Sequence, residues 1–546
     1  MTTSAELLPQ RDEGVRQQGR DPKRPVPKAK GVRQRRAPKP RGTASGELFP
    51  LEDKVVQRRQ RRDPKPHFKQ PRSGQLDVLL GSLEEQLPAV HLAREVAGIV
   101  AQFDTASLEA TYSSLGRHGH HPKTLLRVWV YGSLMGFHHA TKLARAQATD
   151  IALRWLSDGH GVSGRSLCRF RGANGELFQR AIDTTLEMAL LNKLIEPDEL
   201  AVDSMRLRAH AATREVRTVV RSEKRLDQLA KADVTAMAPD VRAAHDAKVT
   251  KHREALELCA KRDRASVVLT NEMAALMKFP NGAAMPGHRI TVTATGVKTR
   301  LIVSVLVDDA TNDFGKLGGA VVDARAALQR AGLPVDKRLG VVADAGYAAE
   351  QDYLFAKQAE AWADVLIASN SSTTDHAGEG AGVGRKQKYF GRERFTLRVD
   401  DSVLCPADRV MRGPFDDHSG RTKWLGDGCP QCALRPQCTK GEARAFTASL
   451  ERERIRAAMK DRLATPEGKA RYGRRMAIVE PVFADIEDVM GFRRASSRQR
   501  AAVIAEVLLK VLAHNLSRIL QAARLTAIPC LLTVDGALVP LRKPAQ

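Results

Sequence analysis

The sequence predicts an α/β protein with a mixed sheet core, preceded by an all-helical part and interrupted by a helical and a small cysteine-rich insertion. Three observations predict this. Apolar residues recur at helical spacing from about 76 to 200. Two β-branched runs, HRITVTATG (288–296) and RLIVSVLVDD (300–309), are followed by helix, strand, helix and strand patterns. Four of the seven cysteines fall between 405 and 438.

Bulk composition bounds the function. With 546 residues, 42% of them hydrophobic, the chain can build several cores. A formal net charge of +25 calls for a polyanionic partner or a solvated basic arm. No apolar run reaches the roughly 18 residues of a membrane span, and the opening MTTSAELLPQRDEG lacks the apolar centre of a secretory signal. An odd cysteine count with one tight cluster argues for a reducing, cytoplasmic setting and a local metal site rather than a disulfide framework.

The elements follow in order. Residues 1–75 are rich in Arg, Lys, Pro and Gln, too polar to offset ordering entropy, and are expected to form a disordered basic arm. Residues 76–197 form the helical part, where LLRVWVYGSLMGF (125–137) carries a helix-sized apolar face. Within it, SGRSLCRFR (163–171) starts a compact basic helix, so Arg165, Arg169 and Arg171 are candidate DNA contacts of a helix–turn–helix-like unit. The sheet core starts at 198 and runs to 369, with a charged helical hairpin inserted at 212–285 whose basic excess suits a DNA backbone. A Gly- and Cys-rich insertion fills 370–447, helices of the core return over 448–525, and 526–546 is a tail.

Two acids stand out in the strands. Asp203 lies inside AVDSMRLR (201–208), and Asp344 ends the apolar run LGVVA (339–343). An acid in such a place is costly to bury unless it is paired or bound to a cation. If these strands are neighbours, both carboxylates face one point, a site suited to Mg²⁺. Glu480, within RYGRRMAIVEPVFADIEDVMGF (471–492), is the third candidate. It would complete a two-metal site for in-line phosphoryl transfer. Asp308, Asp309, Asp313, Asp323 and Glu487 compete on composition alone.

AVDSMRLRAHA, VVADAGYAAEQDYL and RRMAIVEPVFADIEDVMGFRR, in that order, resemble the DDE transposases of bacterial insertion sequences. GRHGHHPKTLLRVWVYGSLMGFHHATKLARAQATDIALRWL (116–156) is similar to the helical N-terminal domain of the same group. The resemblance implies an RNase H-like catalytic core with Asp203, Asp344 and Glu480 as its three acids. It implies two Mg²⁺ ions, with Mn²⁺ as the alternative, and DNA ends plus target DNA as substrates. A synaptic homodimer or larger assembly on the nucleoid follows, since two ends must be joined. Arg475 sits where the family often keeps a basic residue before the glutamate. The lysine common seven residues after it is replaced by Glu487, which leaves Arg493 or Arg494 to contact phosphate.

Cys405, Cys429, Cys432 and Cys438 form a C-x23-C-x2-C-x5-C pattern suited to a closed structural zinc site. An iron–sulfur centre or free thiols are the alternatives. The resulting expectation is a transposase that cleaves and joins DNA strands. The rivals are a nuclease of the same fold without strand transfer and an inactive DNA-binding remnant.

Overall fold

The computed structural model describes residues 68–72, 74, 81–368, 389–391, 394–398, 400–417, 421–526, 531–534 and 537–540. Most of the expected basic arm and tail lies outside these residues. The chain from Pro64 onward forms one unit.

Among the described residues, eight helices open this unit: α1 (Leu83–Gln86), α2 (Leu92–Gln102), α3 (Ala106–Glu109), α4 (Pro122–Leu134), α5 (Ala140–Ala146), α6 (Ile151–Leu156), α7 (Gly164–Ala173) and α8 (Gly175–Leu191). Their starts are legible in the local chemistry. Ser163 accepts from the Ser166 amide at the head of α7, and Pro122 occupies the first turn of α4, where its missing N–H costs nothing. The apolar stripe of α4 is buried, with Trp129 at its centre donating its indole N–H to the Leu167 carbonyl at 3.0 Å.

The central sheet follows: β1 (Leu200–Arg208), β4 (Ala275–Lys278), β5 (Ala284–Thr295), β6 (Leu301–Asp308), β7 (Leu339–Ala343) and β8 (Ala363–Ile367). A short separate pair, β2 (Val216–Thr218) with β3 (Ser266–Val268), closes the base of the insertion hairpin. That hairpin consists of α9 (Val219–Ala230) and α10 (Pro239–Lys261). Across the sheet the order is β6, β5, β1, β7, β8, with β4 pairing the other end of the β5 flank that β6 occupies. β1 runs antiparallel to β5 and parallel to β7, and β7 runs parallel to β8.

α11 (Leu317–Arg330) leads from β6 into β7, and α12 (Glu350–Gln358) joins the parallel pair β7 and β8. Strand alternation assigns the faces. Thr293, the register partner of Val202, bonds the Ala320 carbonyl of α11. Asp203, one residue on, therefore faces the other side, and its partner there is Arg475.

The cysteine region is a small lobe with its own core of Phe395, Val403, Met411, Trp424, Phe446 and Ala448. It holds β9 (Thr396–Leu397), β10 (Val403–Leu404), β11 (Arg412–Asp417), β12 (Arg421–Leu425), α13 (Arg435–Cys438) and β13 (Ala445–Ala448). Then come α14 (Leu450–Ala464), α15 (Pro466–Ala484), a wide π turn at Asp485–Val489, and α16 (Arg500–Thr526). A last hairpin, β14 (Leu531–Val534) with β15 (Ala537–Pro540), ends the described chain.

α16 packs against α4, α7, α8 and β6 and so joins the helical part to the sheet. Its buried polar side chains do the fastening. Asn515 bonds both the amide and the carbonyl of Ile302 at 2.9 Å. Glu506 pairs with Arg171 at 2.6 Å, both almost wholly buried. Among the described residues no helix is long and apolar enough to cross a membrane.

Candidate active site

Leu200, Ala201 and Val202 are fully buried and anchor β1 between β5 and β7. Burying a Val or Leu side chain is worth about 1.5–3 kcal/mol, so the register is well fixed. It pairs Val202 with Ala343. One further step along two parallel strands sets Asp203 beside Asp344, where β7 has ended and the chain turns away.

The turn is built for that carboxylate. Asp344 accepts from the Gly346 amide at 2.9 Å. A Cβ on Gly346 would lie 3.0 Å from Oδ1 of Asp344 and 3.3 Å from Oδ2 of Asp313, so a side chain there would press on two acids at once. This spacing also shows that Asp313 stands close to Asp344. Tyr347 is buried in the same turn, its hydroxyl pushed upward by burial first and then by Asp313, Asp203 and Asp344.

Burial raises Asp203 to about 6, and the neighbouring Asp344 charge adds to the rise. Arg475 works against it, donating to Oδ2 at 2.7 Å, and the Ser204 amide donates to Oδ1 at 2.7 Å. The site therefore holds two adjacent acids with one fixed cation, an arrangement that a bound divalent metal would stabilise by favouring both carboxylates.

Asp203, Ser204 and Asp344 line a cavity of about 820 Å³ that also takes in Arg206, Arg208, Asp313 and Glu487. Asp313 was one acid among many in the sequence, and the spacing gave no reason to select it. Here it accepts from the Ser204 hydroxyl at 2.5 Å and is ion-paired with the buried Arg289. A signal was present: Arg289 sits in an apolar strand, and a buried guanidinium requires an acid.

Glu480 does not join them directly. It is exposed on α15 and does not line the cavity. Helical spacing nevertheless places Glu480, Phe483, Ala484 and Glu487 on one face, and the last three do line it. Glu480 thus stands one turn outside the rim. The residue after it, Pro481, has no N–H for the Ala477 carbonyl, and that carbonyl instead accepts from Arg300 Nε at 3.1 Å. Among the described residues, no three His, Cys, Asp or Glu side chains are grouped closely enough to hold a metal ion.

The basic candidates divide. Arg165 and Arg169 are exposed on α7. Arg171 is a correction: it is buried, pairs with Glu506, bonds the His138 carbonyl and Ser496, and stacks on Trp129, so it holds the core and cannot reach DNA. Arg493 is exposed at the cavity rim and paired with Asp488. Arg494 donates to the Ala209 carbonyl at 3.2 Å.

The cysteines lie on turns. The Cys405 carbonyl accepts from the Asp408 amide, Cys429 to Cys432 wind a single 3₁₀ turn, and Cys438 ends α13. Burial raises the Cys438 thiol, Arg444 lowers it, and Cys429, Cys405 and Cys432 raise it further. None of the four forms a disulfide.

Residues 81–173 match the family described as Transposase domain (DUF772), and residues 405–520 match the family described as Transposase DDE domain. The second span contains all four clustered cysteines and Glu480, whereas Asp203 and Asp344 lie outside both. No curated protein matches the chain. The first span covers the helical part up to the end of α7 and the second the cysteine lobe through most of α16, so both stretches of the chain are similar to transposase domains.

Proposed function

We propose that this protein cleaves DNA at insertion-sequence ends and transfers the cut strand to a target, with Asp203, Asp344 and Glu480 as its catalytic acids. Transposase domains imply DNA transposition. The observation that carries the finer reading is the parallel register that aligns Asp203 with Asp344 at the end of the sheet. The strand order β6, β5, β1, β7, β8, with three antiparallel strands followed by two parallel ones, supports an RNase H-like core.

Asp203 and Asp344 suit Mg²⁺, which takes one or two carboxylates and fills its other positions with water and phosphate oxygen. When bound, such an ion stabilises charge on the oxygens of a phosphoryl transfer. The chain's own groups prepare the site. Arg475 and the Ser204 amide orient Asp203, and the Gly346 amide orients Asp344. Arg206, Arg208 and Arg493 bring positive charge to the cavity, where a phosphodiester would lie. Glu480 reaches the same space by a modest turn of α15 when DNA enters. The exposed Arg165 and Arg169 of α7 bind the element ends, and a homodimer brings two ends together. The four cysteines hold a structural Zn²⁺ that fixes the small lobe.

The test is a strand-transfer assay on paired element ends with Mg²⁺. The wild type yields joined product; nicks without joining would indicate a nuclease instead. No cleavage by the wild type would indicate an inactive DNA-binding remnant.

A further inference from the structure

The insertion hairpin carries a second cavity, none of whose lining residues lines the acid cavity. It measures about 450 Å³ and is lined by Arg214, Arg217, Arg221, Lys224, Arg225, Gln228 and His252. Five of these seven are permanent cations and none is an acid. Arg221, Lys224, Arg225 and Gln228 follow the i, i+3, i+4, i+7 spacing of one face of α9. His252 of α10 faces them, held by Ser222 at 3.2 Å. Burial lowers its basicity, and Arg217, Arg225 and Arg221 lower it further.

Like charges gathered this closely repel unless an anion enters between them. Nearby acids do little to relieve them. Glu215 bonds Lys251 at 3.1 Å, and its approach to Arg214 is a loose 3.9 Å. Arg217 is held by donating to the Arg214 and Val216 carbonyls at 2.6 and 3.0 Å, and its buried Nε finds no acceptor among the described residues. Arg225 is steadied by Gln228 at 2.9 Å. Two of the cations, Arg217 and Arg225, are thus held in place in advance, which lowers the entropic cost of binding an anion.

We infer that this cleft binds the phosphodiester backbone of DNA, independently of sequence, and serves as a second anchor away from the acid-lined cavity. It rests on the transposase reading above. Its lining decides between phosphate sources. A nucleotide would want an aromatic or apolar wall for its base, and none of the seven lining side chains supplies one. A backbone needs only charge and donors.

The test uses the full chain and fluorescence anisotropy with a labelled duplex of about 30 base pairs, across roughly 50–200 mM salt, where each phosphate contact adds about 0.9 to the slope of log K against log salt. R221Q/R225Q should bind on the order of tenfold more weakly at the low-salt end and lose about 2 from the slope. R221K/R225K should retain most of both. K337Q/K460Q removes two exposed cations elsewhere and should change neither appreciably. Circular dichroism confirms that each variant is folded.

If R221Q/R225Q binds like the wild type, or K337Q/K460Q loses as much, the cleft is not an anchor although the chain still binds DNA. Wild-type protein that binds no duplex would overturn the transposase reading and this inference together. Tripolyphosphate that binds the wild type, with duplex binding untouched by R221Q/R225Q, would assign the cleft to a small oligophosphate instead.

Discussion

Arg475, on a helix that follows the sheet by more than a hundred residues, donates a hydrogen bond of 2.7 Å to Asp203 in the first strand of that sheet. This contact ties α15 to β1 beside the paired acids. Without it, Asp203 and Asp344 would face each other with no fixed cation between them. Arg475→Gln is therefore expected to lower Mg²⁺-dependent cleavage by roughly tenfold to a hundredfold, and Arg475→Lys to recover part of the loss. Single-turnover cleavage rates, with melting curves to confirm folding, check this.

Gly346 is a position where size alone matters. Its missing side chain makes room for the carboxylates of Asp344 and Asp313. Gly346→Ala should leave the melting temperature nearly unchanged and depress cleavage by about tenfold or more, as a displacement of a catalytic group by a fraction of an ångström does. Cleavage equal to wild type would show that the turn relaxes freely.

Lys510 gives the stability a definite pH dependence. It is buried in α16, its ammonium 3.5 Å from the Met490 carbonyl, and burial lowers it to about 7, with Arg171 adding to the fall and Glu506 opposing it. The unfolded chain holds its proton up to the ordinary value of 10.5. Between pH 7 and 10.5 the unfolded state thus binds more protons, and this group makes stability rise with pH. Below 7 both states are protonated and the penalty is complete. Lys510→Met should raise stability at pH 7 by on the order of 1–4 kcal/mol and flatten the slope between 7 and 10.5. Chemical denaturation at a series of pH values reads both.

The cysteine lobe should contain about one zinc per chain, measurable by elemental mass spectrometry of protein purified without chelator. Cys432→Ser should lose the metal and loosen the lobe, seen as faster amide exchange at Trp424 and Phe446. Protein with no metal, and a lobe indifferent to the substitution, would leave the four residues as plain thiols.

Much of the fold was legible in the sequence because it follows from period. The β-branched runs became β5 and β6, the segment holding Asp203 mid-strand became β1, the apolar run before Asp344 became β7, and SGRSLCRFR became α7. The site was half legible. Asp203 and Asp344 could be picked out because a lone acid in an apolar strand needs a reason. Asp313 could not, since it stands in a polar loop where acids are ordinary, and its meaning comes from Arg289 and Ser204, each contributed by a different strand. Arg171 misled for the opposite reason. A basic residue on a basic helix reads as solvent-facing, yet this one turns inward to Glu506, more than three hundred residues away.

The measurement that bears most directly on the account is cleavage of an end-bearing duplex by Asp203→Asn, Asp344→Asn and Glu480→Gln, each beside the wild type in Mg²⁺. All three substitutions are expected to reduce cleavage at least a thousandfold while leaving DNA binding intact. Full activity in Asp203→Asn or Asp344→Asn would contradict the account, and activity retained by Glu480→Gln but lost by Glu487→Gln would move the third acid one turn or two along α15 into the wide turn that follows it.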